Sequence, residues 1–174
     1  MSIFITGASS GIGEACARAF AAAGRDLVLA ARREDRLARL AAELTSQYRV
    51  QVDTFGLDVR SRKAVDDLIT GNPRVFNSVH VLINNAGLAR GREPIQDENP
   101  DDWDEVIDTN VKGLLYVTRA LLPSLIARSA SGKSHVVNIG AVAGHWTYPN
   151  GAVYCASKYA VRALTEAMRM DLHG

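Results

Sequence analysis

The sequence has little of what marks several classes of protein. It contains only two cysteines, Cys16 and Cys155, which lie far apart without metal-ligand spacing, so we expect small buried side chains in a reducing compartment. Its formal net charge of +1 gives no electrostatic reason to expect nucleic acid or an anionic membrane as a partner. The N-terminus lacks a charged region followed by an apolar one, and no apolar run reaches membrane-spanning length. We therefore expect a cytoplasmic protein.

The remaining composition is that of an ordinary globular domain. Apolar residues make up 47% and charged residues 22% of the 174 positions, which suffices for one compact domain with a real core. No internal repeat, low-complexity segment or linker is visible, so residues 1–174 are taken as a single domain. Because the four histidines show no spacing typical of a metal site, no metal is expected: His80, His135, His145 and His173.

Short apolar runs alternate with helical patterns along the whole chain. The five strand candidates are residues 3–5, DLVLAA, VQVDTFGLDV, VHVLINN and HVVNIG. The helical patterns are GEACARAFAAAG, EDRLARLAAELTSQY, SRKAVDDLIT with Ser61 as N-cap, one long helix in DDWDEVIDTNVKGLLYVTRALLPSLIARS, and AVYCASKYAVRALTEAMRMDL. This alternation predicts an α/β fold: a doubly wound, Rossmann-type parallel sheet with strand order 3-2-1-4-5 and helices on both faces.

A glycine-rich turn, TGASSGIG, lies between the first strand and the first helix. Gly7 permits a tight turn, while Gly11 and Gly13 let backbone and helix come close to a pyrophosphate. The helix N-terminus supplies free N–H groups and partial positive charge for that anion. A turn without ligand is the alternative, but the strand–turn–helix context predicts a dinucleotide site. The other turn residues assigned to it are Ser9, Ser10 and Ile12.

The end of the second strand indicates which cofactor binds. An NAD site normally has an acidic residue there, whereas this chain has Ala31 followed by Arg32 and Arg33. A guanidinium can bind a 2′-phosphate through two hydrogen bonds, which favours NADP over NAD, with Arg32 as the better candidate. A solvated charge pair at a helix start is the alternative.

Five motifs resemble those of the short-chain dehydrogenases/reductases, and the resemblance covers essentially the whole chain. They are TGASSGIG, Asp58-Val59, the NNAG of residues 84–87, Asn110 in TNVKG, and YCASK. The pattern is most similar to the NADP-dependent branch that oxidises serine and other 3-hydroxy acids. It implies an oxidoreductase that transfers hydride between NADP(H) and a small secondary alcohol or ketone.

The resemblance also assigns roles to individual residues. Tyr154 would be the general acid/base, and Lys158 would lower the pKa of its phenol and bind the nicotinamide ribose. Asn110 would hold a water that links Lys158 to solvent. The remaining cofactor residues that the resemblance implies are Asp58 and Val59 beside the adenine, and Asn84, Ala86 and Gly87 on the cofactor floor.

One catalytic position departs from the family pattern. The family has a serine thirteen residues before the tyrosine, and this chain has Ala141 there. A methyl group cannot donate a hydrogen bond to the carbonyl oxygen, and losing one such donor typically lowers the rate about 10²–10³-fold. The sequence leaves open whether the alanine is natural or engineered, and a catalytically silent nucleotide-binding or interaction protein is the alternative to an enzyme.

The resemblance implies two further properties. Family members continue beyond the Tyr-Lys helix into further strands that cover the substrate, so the chain is expected to be truncated relative to the family. They also commonly form dimers and tetramers through their last two long helices, so we expect a homodimer or homotetramer. Six apolar residues of this chain could belong to that interface or to the core: Leu114, Leu121, Leu122, Leu125, Leu164 and Met168.

Overall fold

A computed structural model describes residues 1–129, 132 and 134–172, so His173 lies outside the described residues. The strands are β1 Ser2–Thr6, β2 Asp26–Ala31, β3 Val52–Gly56, β4 Val79–Asn84 and β5 His135–Asn138. The α-helices are α1 Gly11–Ala22, α2 Glu34–Tyr48, α3 Arg62–Gly71, α4 Pro73–Phe76, α5 Pro100–Ile107, α6 Leu114–Ser129 and α7 Ala152–Asp171. A π-helical segment spans Asp108–Gly113, and a 3₁₀ turn spans Val142–Gly144.

The five strands form one parallel sheet in the order β3-β2-β1-β4-β5, which confirms the predicted doubly wound topology. Successive side chains of a central strand point to opposite faces of the sheet, so each strand contributes to two hydrophobic cores. Ile3 and Ile5 of β1 pack into the core beneath α1 and α2, whereas Phe4 packs into the core beneath α3 and α6. Because both faces of the sheet are covered, these strands are apolar at nearly every position.

The helix boundaries follow local chemistry. The hydroxyl of Ser61 accepts a hydrogen bond from the Ala64 N–H, as predicted for an N-cap. Asn99 caps α5 in the same way through the Asp101 N–H, and Pro100 occupies the first turn, where its missing N–H costs nothing. Three leucines of α2 are fully or almost fully buried, as their helical spacing suggests: Leu37, Leu40 and Leu44.

The long helix expected after the fourth strand is not continuous, so that prediction is wrong in one respect. The π-helical segment interrupts it, and Gly113 in this segment packs so closely that a Cβ there would lie 2.7 Å from Val59 Cγ2. Asn110, in the middle of the segment, directs its side chain to the backbone of Leu88, beyond β4. These contacts with distant segments stabilise the wider turn, and hydrophobic periodicity does not report them.

The apolar residues that were assigned to a core or an interface divide into two groups. Leu114, Leu121 and Leu125 of α6 are buried. Leu122, Leu164 and Met168 are half-buried. None of the helices in the described part of the chain combines the length and apolarity needed to cross a bilayer.

Candidate active site

A cavity of about 510 Å³ opens at the carboxyl ends of the parallel strands, where doubly wound sheets bind their ligands. Thirteen of the residues assigned to the site from the sequence line it: Gly7, Ser9, Ser10, Gly11, Ile12, Arg32, Arg33, Asp58, Val59, Ala86, Gly87, Tyr154 and Lys158. They come from the ends of β1, β2, β3 and β4 and from α7, so the fold brings together residues that lie far apart in sequence.

The glycine-rich turn is built for close backbone contact. Gly7 has a φ of +67°, which favours glycine, and a Cβ there would lie 2.8 Å from the Ala86 Cα. Gly13 lies behind the turn, where a Cβ would lie 2.5 Å from the Gly7 carbonyl oxygen. The side chain of Asn85 donates to the carbonyl oxygens of Thr6 (3.0 Å) and Gly7 (3.1 Å). Asn85 thereby ties the turn to the end of β4.

The two arginines after β2 have different surroundings. Arg33 donates to the hydroxyls of Ser9 (3.1 and 3.0 Å) and Ser10 (2.6 Å), so its guanidinium lies against the glycine-rich turn. Arg32 is more loosely held: its Nη1 lies 3.7 Å from Glu105 Oε1, and 56% of its side chain is exposed. Both side chains line the cavity, Arg33 against the glycine-rich turn and Arg32 towards Glu105.

The end of the cavity beside Asp58 carries a second charge cluster. Asp58 accepts a hydrogen bond from Arg60 (Nη2 to Oδ2, 2.6 Å), which holds the pKa of this carboxyl below its usual value. Arg60 and Arg90 also reach Glu105, and the hydrogen bond from Arg90 lowers the pKa of that carboxyl. This cluster was not predicted, because its members come from three separate segments of the chain.

Tyr154 and Lys158 lie one turn apart on α7, and both line the cavity. The Lys158 side chain is almost completely buried, and its ammonium donates to the Ile139 carbonyl oxygen (2.9 Å), which anchors it beside β5. Burial lowers the pKa of Lys158. A Cβ on Gly144 would lie 2.8 Å from the Lys158 carbonyl oxygen, so only glycine lets the 3₁₀ turn pack so closely on α7.

The expected lowering of the Tyr154 pKa is wrong for this structure. Burial raises the pKa of the phenol, and the neighbouring Tyr148 and Cys155 add to that increase. The Lys158 ammonium lies 5.9 Å from the centre of the Tyr154 ring and donates a hydrogen bond to the Ile139 carbonyl oxygen instead. The sequence gives the spacing of the pair but not how deeply the fold buries it.

Four residues assigned from the sequence do not line the cavity, namely Gly13, Asn84, Asn110 and Ala141. The Asn84 amide points into the sheet, where it donates to Thr118 (2.8 Å) and Asn138 (2.9 Å). Its neighbour Asn85 lines the cavity instead, and the second asparagine of the NNAG motif could have indicated this. Ala141 is extended and precedes the 3₁₀ turn, while Ile139 and Gly140 before it form the cavity wall.

The Asn110 side chain acts as a clamp. Its oxygen accepts from the Leu88 N–H (2.9 Å), and its amide donates to the Leu88 carbonyl oxygen (2.8 Å) and to the Ser157 hydroxyl (3.0 Å). It therefore joins the segment after β4 to α7. These three bonds occupy the side chain, so the structure shows a positioning contact rather than an amide that faces the cavity.

The cavity fits a dinucleotide on two observations that are independent of motif matching. Gly11, the first residue of α1, lines the cavity and has no atom within 4 Å of where a Cβ would lie, so the backbone at this helix N-terminus is open to a ligand. Thr109, on the cavity wall, has a buried hydroxyl with no hydrogen-bond partner among the described residues, so it is free to bond a ligand. The described residues contain no group of histidine, cysteine and carboxylate side chains that could hold a metal ion.

A parallel sheet of this order, with a glycine-rich turn and a Tyr-Lys pair on one cavity, is the arrangement expected from the motifs. The chain belongs to the short chain dehydrogenase family, whose model matches residues 1–174. The resemblance inferred from the sequence is thereby confirmed. This family consists of oxidoreductases, so its members are enzymes.

Three relatives show where in the family the chain lies. It is 51% identical over 172 residues to sulfoacetaldehyde reductase 2 of Chromohalobacter salexigens, covering 99% of this chain and 67% of that protein. It is 42% identical over 174 residues to the NADP-dependent 3-hydroxy acid dehydrogenase YdfG of Salmonella typhi, covering 100% of this chain and 67% of that protein. The closed form of serine dehydrogenase complexed with NADP+ superposes with a TM-score of 0.90 at 40% identity, covering 100% of this chain and 67% of that one.

These likenesses confirm the similarity to the 3-hydroxy acid dehydrogenase branch. The chain spans about two thirds of the length of these relatives.

Proposed function

We propose that the chain is the catalytic and cofactor-binding part of an NADP(H)-dependent oxidoreductase that acts on a small carbonyl compound or the corresponding alcohol. This proposal rests on one observation: the glycine-rich turn, both arginines after β2 and the Tyr154–Lys158 pair line a single cavity. The NADP-dependent relative and the NADP complex of serine dehydrogenase support the choice of cofactor.

The residues that would hold NADP(H) follow from their positions. The turn and the N-terminus of α1 would bind the pyrophosphate, Arg32 and Arg33 the 2′-phosphate, and Asp58 and Val59 would flank the adenine. Bound NADP(H) supplies a hydride at its nicotinamide ring. An Ala31 methyl in place of a carboxylate removes the repulsion that a 2′-phosphate would otherwise meet.

Tyr154 would exchange a proton with the substrate oxygen. A phenol with its ordinary pKa of about 10 is protonated at neutral pH, so Tyr154 could donate a proton to a carbonyl oxygen as it is reduced. Burial raises the pKa of this phenol, which makes it a weaker acid than an exposed tyrosine. The hydrogen bond from Lys158 to the Ile139 carbonyl oxygen joins α7 to the end of β5. Asn110 holds the segment after β4 against α7 and would support the cofactor floor at Ala86 and Gly87.

The substrate class is proposed from the relatives. Sulfoacetaldehyde carries a sulfonate, and serine and other 3-hydroxy acids carry a carboxylate, so the substrates named for these proteins are small and share one anionic group. We propose that this chain acts on a small anionic aldehyde, ketone or hydroxy acid. Further proposals from the family are assembly as a homodimer or homotetramer and a cytoplasmic location.

Ala141 supports a second candidate, a nucleotide-binding protein with little or no turnover. The described loop from Gly140 to Ala143 offers no side-chain donor that could replace the missing serine hydroxyl. Because serine and alanine differ by a single atom, the fold and cofactor binding are expected to survive this change.

A paired experiment separates the two candidates. NADPH is titrated by nicotinamide fluorescence, and turnover of a panel of sulfonated aldehydes, ketones and 3-hydroxy acids is measured for the chain and for Ala141→Ser. We expect both to bind NADPH and Ala141→Ser to be about 10²–10³-fold faster. Tight NADPH binding with no turnover by Ala141→Ser would favour the silent protein, and failure to bind NADPH contradicts both candidates.

A further inference from the structure

Glu105, near the end of α5, contacts three arginines with a single carboxylate. Its Oε2 accepts from Arg90 Nε (2.8 Å), and its Oε1 lies 3.4 Å from Arg60 Nη1 and 3.7 Å from Arg32 Nη1. Only 19% of the Glu105 side chain is exposed. The single carboxylate of Glu105 thus contacts three guanidinium groups, of which Arg60 has Asp58 as a second counter-ion.

The three contacts are unequal. Arg90 makes the shortest contact with Glu105, and Arg60 is also held by Asp58 (2.6 Å). Arg32 makes the longest contact, and its side chain is the most exposed of the three, at 56% against 51% for Arg90 and 35% for Arg60. Within the described chain, Arg32 is also the only one of these three arginines that lines the cavity.

We propose that Glu105 is a specificity-setting positioning residue, a counter-ion that Arg32 leaves when the 2′-phosphate of NADP(H) binds. This inference rests on the proposed function. Arg90 and Arg60 remain on Glu105 after Arg32 has left, so the exchange does not strand a half-buried carboxylate without a partner. The exchange therefore needs no rearrangement beyond the Arg32 side chain.

The direction of the effect follows from the sign of the charges. Glu105 competes with the 2′-phosphate for Arg32 and also repels it, so it weakens the binding of NADP(H). NAD(H) has a neutral hydroxyl at that position and gains nothing from the release of Arg32. Glu105 therefore limits the preference for NADP(H) over NAD(H) that the two arginines create.

The test compares NADPH and NADH dissociation constants, measured by nicotinamide fluorescence at low ionic strength, for the parent chain and E105Q. We expect NADPH to bind about two- to fivefold more tightly to E105Q, which is the range for a partly exposed ion pair, with little change for NADH. In the R32A background only the direct repulsion between Glu105 and the 2′-phosphate remains, so the same Glu105→Gln change is expected to shift the NADPH/NADH ratio less than in the parent chain.

E43Q is the matched control, because it makes the same change in net charge. Glu43 pairs with Arg18 on the α1–α2 surface and does not line the cavity, so both dissociation constants should stay at their parent values. If circular dichroism shows E105Q to be unfolded, E105D replaces it, since the shorter side chain withdraws the carboxylate from Arg32 and should shift the ratio in the same direction.

Three results would contradict the inference or its basis. An unchanged ratio in a folded E105Q or E105D variant overturns the counter-ion role, as does an equal shift in the R32A background. A parent chain that binds NADH as tightly as NADPH contradicts the proposed cofactor itself. Failure of the proposed function can thereby be distinguished from failure of this inference.

Discussion

The two sides of the cavity differ in how much of their residues is exposed. The side proposed to bind the nucleotide includes β1 and β2, and the side proposed to be catalytic includes β5, the loop after it and Tyr154. On the nucleotide side, every residue of β1 is buried, and so is every residue of β2 except the first. On the catalytic side, β5 alternates between exposed and half-buried residues, and the loop after it exposes 70% of Val142 and 74% of Trp146. Among the described residues, the central strands β1 and β2 are therefore covered on both faces, whereas the surface beside Tyr154 is open.

The position of each strand in the sheet explains the difference between β1 or β2 and β5; β3, the other edge strand, is likewise half-buried or exposed. β1 has β2 and β4 as neighbours, while β5 pairs with β4 alone. An edge strand has one side without backbone partners, and here it carries the anchor of Lys158 at its end. Mutations on the nucleotide side should thus act mainly on stability and cofactor binding, and those on the catalytic side mainly on chemistry.

The largest expected effect is that of Tyr154→Phe on the catalytic side. Made in the Ala141→Ser chain, it removes the proposed proton donor and should lower kcat by about 10²–10⁴-fold, while NADPH affinity stays close to that of the unchanged chain. Steady-state kinetics and fluorescence titration measure the two quantities. The matched control is Tyr159→Phe on the same helix, whose hydroxyl donates to His145. Equal losses in both variants would contradict the role of Tyr154.

Gly13→Ala tests the nucleotide side. The added methyl would lie 2.5 Å from the Gly7 carbonyl oxygen, so the turn must shift, and we expect a loss of about 1–3 kcal/mol in the free energy of unfolding together with weaker NADPH binding. Urea denaturation gives the first quantity. Gly71→Ala in α3 is the control, because a Cβ there meets nothing within 4 Å. Unaltered stability in Gly13→Ala would show that the turn is not closely packed.

The third prediction concerns alkaline pH. Because burial raises the pKa of Tyr154 in the folded state, its contribution to stability is fully present below about pH 10, the ordinary tyrosine value, and is lost as the pH rises through the raised pKa. The difference in phenolate absorbance between the parent and Tyr154→Phe isolates this group. A titration step below pH 10 in that difference would show that the cation of Lys158 prevails over burial.

The smallest effect is expected for Trp146→Ala. Because 74% of this side chain is exposed, its loss should change the free energy of unfolding by less than about 0.5 kcal/mol. Urea denaturation of the variant and the parent checks this. A loss of several kcal/mol would mean that the open side of the cavity is covered in solution, and the contrast between the two sides would then be wrong.

Local sequence patterns predict the nucleotide side well. The glycine spacing, the apolar runs of β1 and β2 and the Ser61 cap depend on neighbours within a few residues, so the sequence contains their causes. The strand order also follows, because it rests on general rules of handedness and connection.

Features that depend on distant contacts could not be predicted in the same way. The π-helical segment is stabilised by bonds from Asn110 to Leu88, 22 residues away, and to Ser157, 47 residues away. Glu105 likewise contacts Arg60, which lies 45 residues away in sequence. The raised pKa of Tyr154 reflects burial that only the assembled fold creates. The motifs show which residues meet at the site but not how their charges are shared.

The Asn110 clamp has a consequence for hydrogen exchange. The Leu88 N–H is bonded to the Asn110 side chain, which is itself bonded to Ser157 on α7. Deuterium can therefore enter this amide only when the clamp opens, so its exchange rate is expected to report separation of α7 from the segment after β4. Exchange at the Leu88 amide, more than sixty positions away in sequence from Tyr154, should thus report how often α7 separates from the segment after β4.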